Sequence, residues 1–180
     1  MSEDIKQNFA EGNNFYIFGK IREDIAQEII KPLQEKVNEL SQDKEPNDLN
    51  IYLNSCGGWT HESFEIVSII EEAKKKGIKV NTYCRSKAMS GAFIIFITGS
   101  KRYVTNNSVL MTHFCRSWDF SDNPVMTDRN KEYTDFINQK IVDHINKYTE
   151  IKDVDEKMIP DNYFIFGEDA IEKGCADEII

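Results

Sequence analysis

The strongest constraint on this chain is a change of apolar period that repeats along it. Short strand-like runs alternate with stretches in which apolar residues recur every three or four positions. Phe15-Tyr16-Ile17-Phe18 ends at Gly19 and reads as a buried strand. Ile25, Ile29, Leu33, Val37 and Leu40 then predict a helix over about 22–40, interrupted or kinked at Pro32. Leu49–Leu53 is a second strand. Phe64, Val67, Ile70 and Ala73 mark a second helix, which Gly77 closes by its tolerance of positive φ. Val80–Cys84 is a third strand, Ser90–Thr98 a compact apolar helix, and Val109–Met111 a further strand. A polar loop, Ser117–Pro124, leads into a long helix whose stripe is Tyr133, Ile137, Ile141, Ile145 and Tyr148; a short strand near Phe164 and a helix from Glu168 follow. Strands alternating with helices at these spacings imply crossover connections and a mainly parallel sheet, hence an α/β fold. With no low-complexity stretch or linker, residues 1–180 are read as a single domain.

Charge and composition narrow the function. The 180 residues carry a net charge of −9, against the clustered Lys and Arg that phosphate contacts require, so no nucleic-acid partner is expected. Lys74-Lys75-Lys76 reads as the solvated end of a helix. No run approaches the roughly 18 apolar residues that cross a bilayer, so no membrane association is expected. Met1–Asp4 is acidic and lacks an apolar export region, and the four cysteines form no C-x-x-C pair. Reduced thiols and a cytoplasmic location are therefore the expectation, with no structural zinc.

Three positions hold residue types that could carry chemistry. In Ser55-Cys56-Gly57-Gly58 a strand runs into two glycines and a helix, so backbone N–H groups can approach an anion closely, although a plain tight turn needs the same glycines. In Ala88-Met89-Ser90-Gly91 a serine stands at a helix start, where it is either an N-cap or a nucleophile beside free N–H groups. His113 ends the strand after Val109–Met111. His61 and His144 lie in polar helical patterns and read as surface residues.

Taken in order, these segments resemble the Clp peptidase (ClpP-like) family. Ile51–Gly58 is similar to the family's segment before the oxyanion glycines, with Cys56 where the family has proline. Ala88–Phe93 resembles its nucleophile segment, and Lys101-Arg102-Tyr103, Asn107–His113, Tyr163-Phe164 and Glu168–Asp177 match later motifs. The likeness runs from about Phe15 to Ile180. Aligning on Gly91-Ala92-Phe93 would put Met89 at the family's serine. Gapless counts forward from Cys84 and backward from Gly99 both put Ser90 there, and Ser90 is assigned.

The resemblance implies a crotonase-like ClpP fold of β-β-α units with a protruding handle over about 117–148. It implies Ser90 as nucleophile, His113 as base, and the Gly58 and Gly91 N–H groups as oxyanion donors. The third triad position falls on Asn162 in place of the usual aspartate; Asp161 would need a one-residue insertion to serve. The implied protein is a serine endopeptidase needing no cofactor. It would form two stacked homo-heptameric rings that degrade unfolded polypeptides delivered by an ATP-driven AAA+ unfoldase. The apolar stripe of the handle helix, read as exposed, also points to assembly. Two other readings stand beside this one: a catalytically impaired ring member, and an acyl-CoA-binding crotonase relative.

Overall fold

The computed structural model describes residues 8–115, 124–158 and 162–180. Eight strands form one sheet: β1 (Asn8–Glu11), β2 (Asn14–Ile17), β3 (Leu49–Ser55), β4 (Val80–Met89), β5 (Lys101–Val104), β6 (Val109–Thr112), β7 (Tyr163–Phe166) and β8 (Glu178–Ile179). The helices are α1 (Lys31–Leu40), α2 (Thr60–Lys75), α3 (Gly91–Ile97), α4 (Pro124–Tyr148), α5 (Val154–Met158) and α6 (Gly167–Glu172). Strands β2, β3, β4, β5 and β8 run parallel, with β1 and β7 as antiparallel margins. The mainly parallel sheet expected from the alternating pattern is present.

One strand organises the rest. The first half of β4 pairs with β5 through Asn81–Cys84, and its second half pairs with β6 through Lys87–Met89. Its other edge follows β3, with an irregularity between the Leu53 and Ser55 pairings. The C-terminal ends of β3, β4 and β6 therefore lie side by side, the usual position for a site in a parallel sheet. All seven residues of α3 are buried, which explains its unbroken apolar run and fixes the helix that follows β4. The register also aligns Tyr16, Tyr52, Tyr83 and Tyr103 on adjacent strands, and their rings stack at centroid distances of 5.0, 4.7 and 4.6 Å. Nothing in the period of any one strand announced that ladder.

Pro32 sits in the first turn of α1, where its missing N–H costs little. The break falls just before it, as a π-helical segment over Ala26–Ile30 closed by the Lys31 N–H on the Ala26 carbonyl. The strand β1 and the short β5 and β8 had no periodic signal of their own.

Two expectations about α4 need correction. Its stripe is not an exposed surface: Ile137, Ile141 and Ile145 are buried in the chain's own core, and only Tyr133 at its upper end is open. From Asp128 to Phe136 no residue of the helix is buried, although Tyr133 is hydrogen-bonded to His61 of α2. His144 is not a surface residue either. It is 8% exposed, and its Nε2 donates to Thr98 Oγ1 at 2.9 Å, because the Thr98 hydroxyl itself donates to the Ile94 carbonyl. That bond locks α4 to the end of α3, and burial pushes the imidazole pKa down to about 4. Of the polar loop expected over Ser117–Pro124, Pro124 instead begins α4, and the rest lies outside the described residues, as does Asp161. Among the described residues no helix is long and apolar enough to cross a membrane.

Candidate active site

The position expected for the nucleophile is built by the end of β4. Met89 pairs with Met111 of β6, and the next N–H, that of Ser90, donates to the Met111 carbonyl at 2.8 Å. The chain must then turn sharply into α3, and Ser90 takes φ 53° and ψ −125°, a conformation that a non-glycine residue rarely adopts. Strain of this kind is held in place only by its surroundings and gathers at functional positions. The Ser90 hydroxyl makes no helix-capping bond, so the simple N-cap reading of this serine does not hold. It instead lies 2.9 Å from His113 Nε2.

His113 follows β6 directly, two residues after the Met111 that anchors Ser90. Its Nδ1 is 2.6 Å from the Phe114 carbonyl oxygen. A carbonyl can only accept, so Nδ1 carries the proton and Nε2 of the neutral ring presents its lone pair to the Ser90 hydroxyl. This is the tautomer a general base needs.

The third side is the turn after β3. Ser55 is buried; its hydroxyl donates to the Gly19 carbonyl at 2.6 Å and accepts from the Gly57 N–H at 3.0 Å. Gly57, at φ +84°, lies so close to Ser90 that a Cβ there would be 2.4 Å from the Met89 oxygen and 2.9 Å from Ser90 Cβ. A Cβ on Gly58 would be 2.0 Å from the Ile21 oxygen, the residue to which this turn is bridged. A Cβ on Gly91 would stand 3.7 Å from the Gly58 nitrogen, so the two expected oxyanion residues are neighbours. Among the described residues neither of their N–H groups is engaged in the surrounding turn and cap hydrogen bonds.

Four of the five residues singled out in the sequence, Ser90, His113, Gly58 and Gly91, thus come together. The fifth, Asn162, is half-buried just before β7, and among the described residues no hydrogen bond joins it to His113. Two features escaped the sequence reading. The Phe114 carbonyl, as the acceptor for Nδ1, is a backbone atom and leaves no mark in residue type. The aromatic wall of Trp59 and Tyr133 in front of Ser90 is contributed by α4 and the turn before α2, which are far apart in the chain. Burial pushes the Cys84 and Cys175 thiols up to about 12, so neither is a nucleophile at neutral pH. No group of three His, Cys, Asp or Glu among the described residues is arranged to hold a metal ion.

The model of the Clp protease family matches residues 1–180. The ATP-dependent Clp protease proteolytic subunit 1 of Rhodopirellula baltica is 28% identical over 177 residues, an alignment covering 94% of this chain and 73% of that protein. Among solved structures, an asparagine-to-aspartate mutant of ClpP1 from Listeria monocytogenes superposes with a TM-score of 0.76 at 17% identity, covering 93% of this chain and 91% of the other. That likeness carries the fold, and the family match over the full length carries the rest. The chain belongs to the Clp protease family and is a ClpP-type peptidase subunit.

Proposed function

We propose that this subunit is a serine-type endopeptidase in which Ser90 is the nucleophile and His113 the base. The observation that carries the reading is the 2.9 Å approach of Ser90 Oγ to His113 Nε2, made by a serine held in a strained conformation that does not cap its helix. His113 Nε2 takes the Ser90 proton as Oγ bonds to the scissile carbonyl carbon. The carbonyl oxygen gains the charge and is received by the Gly58 and Gly91 N–H groups. Collapse of this intermediate breaks the C–N bond, and the proton on Nε2 passes to the leaving amine. Water then repeats the sequence on the acyl-Ser90 ester and frees the acid. Asn162 is the proposed third member by its place in the chain, while the Nδ1 proton is donated to the Phe114 carbonyl. Both groups are neutral, so the imidazolium is oriented without an opposing carboxylate.

The assembly proposed is two stacked homo-heptameric rings that receive unfolded polypeptide from an AAA+ unfoldase, in a cytoplasmic setting. Support comes from exposed aromatic residues that a lone chain would leave wet, chiefly Phe136 on α4 and the stacked Phe164 and Phe166 on β7. Fourteen chains would weigh about 290 kDa, a closed symmetric particle being the common outcome for such subunits. The approach of Ser90 to His113 counts against a catalytically inert ring member.

A fluorophosphonate probe is the test of the chemistry. Labelling that maps to Ser90 and disappears in Ser90→Ala is the expected result. An unlabelled wild-type protein in its assembled form, as sized by light scattering, would overturn the assignment.

A further inference from the structure

The proton on His113 Nδ1 rests against a carbonyl whose own peptide unit is held from elsewhere in the molecule. Nδ1–H donates to the Phe114 oxygen at 2.6 Å. The N–H of the same peptide unit, that of Cys115, donates to Asn138 Oδ1 at 2.7 Å. Oxygen and hydrogen of a trans peptide point in opposite directions, so His113 and Asn138 grip one plane from its two sides. A line of hydrogen bonds thus runs from Ser90 through His113 and this peptide to α4.

The plane needs such a hold. The pairing of β6 with β7 ends at Thr112, two residues before this peptide. Rotation about the flanking bonds would swing the Phe114 oxygen away from Nδ1. A neutral imidazole without that acceptor can carry its proton on Nε2 instead, where it faces Ser90 as a donor and cannot take the hydroxyl proton. Among the described residues Asn162 makes no bond to His113 that could replace this hold. Asn138 itself is well placed to provide it. It stands between Ile137 and Ile141, both buried in the core, and one turn further on His144 is bonded to Thr98. The register that buries this stripe therefore sets where Asn138 Oδ1 stands. Polarisation along such a chain strengthens each bond by only roughly 10–30%, so the larger effect is orientation.

We infer that Asn138 is a positioning residue for the reaction: by holding the Phe114–Cys115 peptide it keeps the His113 proton on Nδ1 and leaves Nε2 free to accept. The inference rests on the serine peptidase reading, in which His113 is the base for Ser90. It gives α4 a part in the chemistry that its burial alone does not.

The test reads the proton directly. The chain has three histidines, so solid-state nitrogen NMR of protein labelled with nitrogen-15 histidine resolves few signals, and those of His113 are identified by their loss in His113→Gln. In mildly alkaline buffer the wild-type ring is expected to carry its proton on Nδ1. Asn138→Leu, similar in size but without an acceptor, should place the proton on Nε2 in about half of the neutral rings or more. Asn138→Asp restores the acceptor and should restore the Nδ1–H form. Its carboxylate should also raise the midpoint of the His113 titration by about half a pH unit or more. Among the described residues the titratable groups lining the cleft around His113 are His61 and Glu62 of α2, Cys115, and Tyr133 of α4, and every variant keeps them. Thr98→Val loosens α4 at His144 without touching Asn138, and should leave the tautomer as in wild type. A wild-type ring protonated on Nε2, an unchanged tautomer in Asn138→Leu, an unmoved midpoint in Asn138→Asp, or an equal change in Thr98→Val would each overturn the inference. Should Asn138→Leu not fold, the Asn138→Asp midpoint decides alone. The measurement does not depend on turnover, so an unmoved tautomer leaves the Ser90 labelling result standing, and failure of labelling leaves the tautomer result standing.

Discussion

Replacing Gly57 by alanine tests the geometry of the site more sharply than removing a catalytic group. Two costs follow from the structure. The first is conformational: Gly57 has φ +84°, where a Cβ costs roughly 1–2 kcal/mol. For a chain of this size that lowers Tm by roughly 2–8 °C. The second is local. The new Cβ would meet the Met89 oxygen at 2.4 Å, the Gly91 nitrogen at 2.8 Å and Ser90 Cβ at 2.9 Å, two of them backbone atoms that cannot rotate away. Restoring ordinary contact requires the Met89–Gly91 backbone to retreat by about 0.8 Å. The 2.9 Å bond between Ser90 and His113 has no such slack, and a misplacement near 1 Å costs on the order of 10²-fold in rate. Gly77→Ala is the control. Gly77 has nearly the same φ, +81°, has no atom within 4 Å of its Cβ position, and lies at the opposite end of α2 from the site. Gly77→Ala should show the conformational loss of thermal stability alone and Gly57→Ala at least as much, and only Gly57→Ala should lose about two orders of magnitude in kcat/KM on a fluorogenic peptide. Activity of Gly57→Ala within threefold of wild type would refute the close-apposition argument. An equal loss in Gly77→Ala would assign the effect to general destabilisation.

Three further outcomes are expected. Ser90→Gly should abolish peptide hydrolysis yet raise unfolding stability by about 1 kcal/mol, since glycine adopts φ 53° without the strain that serine bears there; denaturant melts that show a loss would count against stored strain. His144 is held neutral by burial with a pKa of about 4 against an ordinary 6.5, so the unfolded chain binds more protons between these values. Stability should fall by up to about 3 kcal/mol as pH drops from 6.5 to 4, and His144→Gln should flatten that slope in urea titrations. Asn162→Asp offers the Ser90–His113 pair a carboxylate; the acidic limb of the pH–rate profile should move to higher pH and kcat rise, whereas an unmoved profile would place residue 162 out of reach of His113.

Much of the fold was legible because period and burial are local properties. The apolar run of α3, the stripe of α2 and the alternation in β3 each report which face meets a core, and the strand–helix alternation forces parallel pairing. The glycines at 57 and 58 and the Ser90 and His113 positions were legible for a related reason: they stand where strands end, and a parallel sheet brings strand ends together. Period could not say which core a face meets. The α4 stripe has the same pattern whether it covers a neighbouring chain or, as it does, its own α3, and His144 looked polar because its buried partner is the hydroxyl of Thr98, 46 positions away. The tertiary structure alone decided the finer chemistry. That Ser90 gives its hydroxyl to His113 and not to its own helix follows from the pairing of Met89 with Met111. That Nδ1 donates its proton to a backbone carbonyl depends on the local path of the chain, which no residue type encodes. The facing of Trp59 and Glu62 by Tyr133 depends on how a helix near the chain's end returns across its middle, a long-range packing choice that the order of residues constrains only through the whole fold.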